Sequence, residues 1–263
     1  MDLGLRGKVA LVSGASKGLG RAIAHELANE GASLVLCSRG KEALTDARDR
    51  IAADTGAQVI AIPADVSRGE EIRELVRASV AALGRIDILV TNAGGPPSAT
   101  FDALSPKMWD EAVRLTLMSA VELAAAVVPA MRERGWGRVI NVTSIAVKQP
   151  VSGLMLSNSL RAAVTGFART LANEVAPFGV TVNNVMPGYT RTERIEEIAS
   201  AIAAREGTSA EAARTRWEAE IPMHRFGEPR ELAALVAFLA SERAGYITGS
   251  SIAVDGGWIR SLV

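Results

Sequence analysis

Residues 8–20 read Lys-Val-Ala-Leu-Val-Ser-Gly-Ala-Ser-Lys-Gly-Leu-Gly, and no other stretch constrains the chain as much. A short apolar run, Val9 to Val12, enters a loop with glycines at 14, 18 and 20, and a helical pattern follows from Arg21 to Asn29. Strand, glycine turn and helix N-terminus in that order make a cradle for an anionic phosphate group. Glycine belongs there because a Cβ would block close approach of the backbone to a pyrophosphate. Gly14, Gly18 and Gly20, with Ser16, Lys17 and Leu19 between them, are therefore the first candidate ligand contacts.

Beyond this loop, short apolar runs alternate with helical patterns. Strands are expected at 8–13, 32–37, 57–62, 86–91, 137–143, 180–186 and 251–254. Helices are expected at 18–30, 40–55, 68–83, 106–134, 153–177 and 229–241. Such alternation predicts an α/β fold, a doubly wound parallel sheet covered by helices on both faces. Its ligand crevice lies at the C-terminal strand ends, near Gly14, Asp65, Asn92, Ser144 and Pro187. With 263 residues, 48% of them hydrophobic, the chain suits one domain spanning residues 1–263. Residues 192–222 interrupt the rhythm with two helical stretches, Glu193–Glu206 and Ser209–Glu220. An excursion of that length beside the crevice is expected to be a substrate lid.

Composition excludes several classes. The 29 basic and 29 acidic residues leave no field that favours nucleic acid or an anionic membrane. The single cysteine, Cys37, ends an apolar run and reads as a small core residue of a protein in a reducing compartment. The N-terminal stretch lacks the features of a signal peptide, and no uncharged apolar run reaches the ~18 residues of a membrane span. A cytoplasmic location is the expectation.

More motifs stand at the other strand ends. Ala64-Asp65-Val66 closes the third strand, where Asp65 is placed to bond an adenine amino group. Thr91-Asn92-Ala93-Gly94 closes the fourth. Pro187-Gly188, followed by Thr190 and Thr192, closes the sixth, and Gly249 to Gly257 surrounds the last. Together these motifs resemble, over essentially the whole length, the short-chain dehydrogenase/reductase family. The resemblance implies a seven-stranded Rossmann-type sheet, NAD(H) or NADP(H), and a homotetramer or homodimer built on the two long helices and the C-terminal strand. It implies that Asn92, Ala93 and Gly94 line the ribose and that Thr192 contacts the phosphates or carboxamide. NAD enzymes of this type place a carboxylate at the end of the second strand. Here that stretch reads Cys37-Ser38-Arg39, without an acid. Ser38 and Arg39, with Lys17 nearby, suit a 2′-phosphate, so NADP(H) is expected over NAD(H).

The resemblance also implies a catalytic Ser, a Tyr-x-x-x-Lys pair and a helical Asn. Ser144 matches the serine, which orients the substrate carbonyl. The tyrosine position, 13 residues later, holds Ser157; the lysine position holds Arg161; the asparagine position holds Thr116. An aliphatic hydroxyl is far less acidic than a phenol, and arginine cannot serve as a base at ordinary pH. Arg161 keeps the ability to hold ribose hydroxyls. Three explanations stay open. The protein transfers hydride to or from a small-molecule carbonyl or secondary alcohol with another proton donor, for which Tyr189, Lys148 and His224 are candidates. It does non-redox chemistry, as the similar halohydrin dehalogenases do, although those retain the tyrosine. Or it binds cofactor with little turnover, as a sensor or partner subunit. Among related sequences, 3-oxoacyl-carrier-protein reductases are frequent.

Overall fold

The computed structural model describes residues 2–262. Its sheet is built from β1 (Val9–Ser13), β2 (Ser33–Ser38), β3 (Val59–Pro63), β4 (Ile88–Thr91), β5 (Gly137–Val142), β6 (Val180–Pro187) and β7 (Ser251–Val254). All neighbours pair in parallel, in the order β3-β2-β1-β4-β5-β6-β7. Each expected strand is present, with ends shifted by up to two residues. The central strands are buried on both faces, which is why β1 and β4 read as near-continuous apolar runs rather than alternating ones.

Two apolar layers flank the sheet. On one face α1 (Gly18–Asn29), α2 (Lys41–Thr55) and α9 (Pro229–Ala240) pack Ile23, Leu27, Leu44, Ile51, Leu232 and Val236 against Val12, Leu36, Val90 and Ile140. On the other, α3 (Gly69–Leu83), α5 (Ser119–Glu133) and α6 (Met155–Val175) pack Ile72, Leu75, Leu123, Val127 and Ala168 against Leu11, Val35, Leu89 and Val139. The expected excursion between β6 and α9 forms α7 (Glu193–Glu206) and α8 (Ala210–Glu220), and Ser209 caps α8 by accepting from the Ala212 N–H at 3.1 Å.

One expected helix is not a regular one. Residues 106–134 divide into α4 (Pro106–Ala112), a π-helical turn over Val113–Met118, and α5. The wide turn carries Thr116, buried with its Oγ1 lacking a hydrogen-bond partner among the described residues. Pro106–Glu133 is long and apolar enough to cross a membrane, yet its Leu123, Ala124, Val127, Val128 and Met131 belong to the sheet-facing core.

A polar ladder crosses the sheet at residues that are register partners. The Thr91 hydroxyl donates to Asn141 Oδ1 at 2.7 Å, Asn141 Nδ2 to Asn184 Oδ1 at 3.0 Å, and Asn184 Nδ2 to Ser251 Oγ at 3.0 Å. The chain therefore links β4, β5, β6 and β7 side chain to side chain.

Candidate active site

The order of strands reverses between β1 and β4, so the chain leaves these two neighbours toward opposite faces and opens a crevice at their C-terminal ends. A cavity of about 550 Å³ occupies that crevice. Its floor at one end is the loop after β1, where Gly14, Ser16, Lys17, Gly18 and Leu19 line the wall. Gly14 has φ +61°, and a Cβ there would stand 2.6 Å from the Asn92 carbonyl oxygen. Gly20 does not line the cavity. A Cβ on it would collide with the Gly14 carbonyl, so this glycine lets α1 close against the loop. Ser13 Oγ donates to the Asn92 carbonyl at 3.0 Å and accepts from its N–H at 2.9 Å, tying the two loops together.

The ends of β2 and β3 supply Ser38, Arg39, Asp65 and Val66. Ser38 Oγ is buried and has no partner among the described residues. A buried hydroxyl without a partner is costly unless a ligand or water completes it. Burial raises the Asp65 carboxyl, but the Ser67 N–H and hydroxyl, with Arg39 and Arg68 nearby, bring it below the ordinary carboxylate value. Asn92, Ala93 and Gly94 form the middle of the cavity, and Pro187, Gly188, Thr190 and Thr192 its far wall.

At the deep end stand Ser144, Ser157 and Arg161. Ser144 Oγ accepts the Ala146 N–H at 3.1 Å, which leaves its own proton to give. One turn apart on α6, Arg161 Nε donates to Ser157 Oγ at 3.2 Å. The Arg161 Nη1 also donates to the carbonyls of Val142 at 2.8 Å and Thr143 at 2.9 Å, across the C-terminal end of β5. Arg161 further borders a void of about 20 Å³ beside Thr116.

Tyr189 is elsewhere. It does not line the cavity. Its ring stacks on Trp217 at 5.0 Å and meets Trp258 edge-on at 5.9 Å, with Phe226 at 6.2 Å. Burial, with Glu220 nearby, pushes its hydroxyl up to about 12. The expectation that it stands at the reacting end is corrected: the aromatic side chains of α8 and the C-terminal segment draw it under the excursion. Lys148 and His224 are exposed and do not line the cavity. Among the described residues, no Tyr, His or Cys lines it.

Several lining residues escaped the sequence reading, namely Leu115, Leu154, Glu193 and Glu197. Ile195 and Ile198 form part of an apolar stripe at helical spacing, a pattern that reads more readily as core. The structure gives them both roles, since they pack against the α7–α8 core and face the cavity. Gly95 lines the cavity beside Gly94.

The family profile described as enoyl-(acyl carrier protein) reductase matches residues 14–259. The 3-oxoacyl-(acyl-carrier-protein) reductase of Vibrio cholerae is 35% identical over 255 residues, which is 97% of this chain and 98% of that protein. The chain belongs to the short-chain dehydrogenase/reductase family. Among solved structures of such enzymes, L-sorbose reductase from Gluconobacter frateurii, complexed with NADPH and L-sorbose, superposes with a TM-score of 0.94. It is 36% identical, and each chain covers 100% of the other. A point variant of actinorhodin polyketide ketoreductase with NADPH gives 0.93 at 33% identity, covering 97% of this chain and 98% of that one. The short-chain fold thus accounts for the sheet order, the glycine cradle and the crevice at the strand ends.

Proposed function

We propose that the protein is an NADP(H)-dependent carbonyl reductase of the 3-oxoacyl-reductase-like kind, in which Ser157 and Arg161 stand where the family places tyrosine and lysine. The observation that carries this reading is the continuous cavity from the glycine cradle to Ser144 and Ser157, with the unpartnered Ser38 hydroxyl beside Arg39. Ser38, Arg39 and Lys17 fit a 2′-phosphate, Asp65 and Val66 an adenine, and Gly14 to Leu19 a pyrophosphate. Asn92 to Gly94 and Arg161 fit the ribose, and Gly188, Thr190 and Thr192 the carboxamide side. NADPH in the two structural relatives supports the preference.

When bound, the nicotinamide supplies or accepts the hydride. Ser144 orients the substrate oxygen by donating its hydroxyl proton. Ser157 donates a second hydrogen bond while Arg161 Nε–H occupies its lone pair. A serine and a secondary alcohol are similar in acidity, so proton transfer from Ser157 to the product alkoxide is nearly balanced. The Nε–H stabilises the transient serine oxyanion until water returns the proton. Ile195 and Ile198 on α7 make the excursion an apolar lid over a small ketone, aldehyde or secondary alcohol. Exposed small residues on α5 and α6, such as Ala125, Ala163 and Gly166, support a homodimer or homotetramer.

A specific observation favours a second reading. Arg161 is bonded to strand carbonyls, and among the described residues no phenol or imidazole lines the reacting end, as in a cofactor-binding protein with little turnover. One experiment separates the two. NADPH and NADH binding is measured on purified protein, followed by cofactor oxidation with ketones, aldehydes and a 3-oxoacyl thioester. Tight NADPH binding with turnover that Ser157→Ala abolishes is expected. Binding without turnover across the panel favours the second reading, and no binding of either nucleotide refutes both.

A further inference from the structure

Lys17 in the glycine loop faces Glu197 on α7, with Nζ and Oε1 3.9 Å apart. Both side chains are more than half exposed, at 61% and 53%, so solvent screens the pair and it does little to hold the chain together. Its position gives it another consequence. Lys17, on the glycine loop, and Glu197, on α7, both line the same cavity. Glu193 lies one turn before Glu197 on the same face of α7 and lines the cavity too. The Glu193 carboxylate stands 3.8 Å from where a Cβ on Gly18 would be, over the N-terminus of α1. The phosphate-binding end therefore has cations on the loop side, Lys17 and Arg39, and carboxylates on the α7 side.

A phosphate monoester carries about −1.5 to −2 charges near neutral pH. One ammonium cannot fully serve both that group and a lid carboxylate. We infer that Glu197 is a positioning residue for cofactor selection, which draws Lys17 toward α7 and so restrains the preference for NADP(H) over NAD(H). The inference rests on the NADP(H) reading above. NADP(H) replaces the Glu197 carboxylate at Lys17 with its 2′-phosphate. NAD(H), lacking that phosphate, leaves the pair intact. The penalty thus falls on one cofactor only, and it moderates how tightly the phosphorylated form is retained after turnover.

The test is a titration of NADPH and NADH against the wild type, Glu197→Gln, Lys17→Met and the double variant, with Glu211→Gln on α8 as a charge control. Glu197→Gln is expected to tighten NADPH by about 3-fold to 10-fold and to move NADH by less than about 2-fold. In the Lys17→Met background the same change is expected to move NADPH by less than about 2-fold, because the effect runs through the ammonium. A wild type that prefers NADPH, with a NADPH/NADH ratio unchanged by Glu197→Gln, overturns this inference alone. So does a full gain that persists without Lys17, or an equal gain in Glu211→Gln. A wild type that binds the two cofactors equally overturns the NADP(H) reading and this inference with it.

Discussion

Arg161→Ala separates the two tasks assigned to this side chain, one in the folded framework and one toward the ribose. Its Nη1 bonds the Val142 and Thr143 carbonyls at 2.8 and 2.9 Å, and its Nε bonds Ser157 Oγ at 3.2 Å. A hydrogen bond from a charged donor contributes about 1.5–3 kcal/mol, and one to a neutral hydroxyl at longer range about 0.5–1 kcal/mol. The guanidinium is only partly buried and water from the cavity reaches the freed carbonyls, so the low end applies. The expected loss is about 3 kcal/mol, equivalent to a fall in Tm of roughly 6–10 °C for a chain of this size. Urea unfolding followed by tryptophan fluorescence, with and without NADPH, measures both tasks. Arg161→Lys, whose single ammonium reaches one carbonyl at a time, is expected to recover about half of the loss. A change below about 1 kcal/mol in the ligand-free protein would refute the framework role. Unchanged NADPH affinity would refute the ribose role.

Other consequences are open to direct measurement. Tyr189→Phe keeps the stacked ring and removes only a hydroxyl outside the cavity, so turnover is expected to stay within about 3-fold of wild type. A loss of 100-fold or more, about 2.7 kcal/mol of barrier, would return Tyr189 to the reacting end. Gly14→Ala places a Cβ 2.6 Å from the Asn92 carbonyl at a backbone of φ +61°, so a stability loss of about 1–3 kcal/mol and weakened binding of both nucleotides are expected in melting and titration. The Arg225 guanidinium, with the Glu228 N–H, lowers the Glu231 carboxyl from its ordinary 4.5 to about 2. A carboxyl depressed on folding stabilises above its unfolded value and loses that contribution as pH falls through the folded one. The stability gap between wild type and Glu231→Gln is therefore expected to be full above pH 4.5 and to close toward pH 2. A gap that stays constant over that window would show that the ion pair contributes nothing.

The sheet and the cradle were legible because local signals carry them. Val9 to Val12 followed by Gly14, Gly18 and Gly20 has few other structural solutions, and the strand-end motifs fall where the crevice opens. The π turn at Val113–Met118 left no such trace: its residues fit an ordinary amphipathic helix, and only the wider winding of the backbone shows the difference. Tyr189 was misplaced for a related reason. Its position after Pro187-Gly188 pointed to the cavity, but the ring's direction is decided by Trp217 and Trp258, which are distant in sequence. Ser157 and Arg161 were found by spacing, whereas the bonds from Arg161 to the β5 carbonyls depend on how α6 crosses the strand end. Glu197 is a solvated helix charge in the sequence and acquires meaning only opposite Lys17.

The ladder from Thr91 through Asn141 and Asn184 to Ser251 fixes more than neighbouring strands. Slipping any one of β4 to β7 by a residue would turn its rung to the opposite face and strand buried amide groups without partners. The strands that carry Ala93, Ser144 and Pro187 at their ends are thus locked in a single alignment, independently of the helices above them. The wall formed by α7 and α8 rests on an apolar cluster around Ile195, Trp217 and Phe226, which reaches the sheet at Met186 of β6. Floor and roof of the cavity therefore meet through apolar contacts, while the alignment of the floor is set by the ladder. Changes in the roof, at Ile195 or Ile198, can reshape what enters while the floor on which a nucleotide rests stays in register.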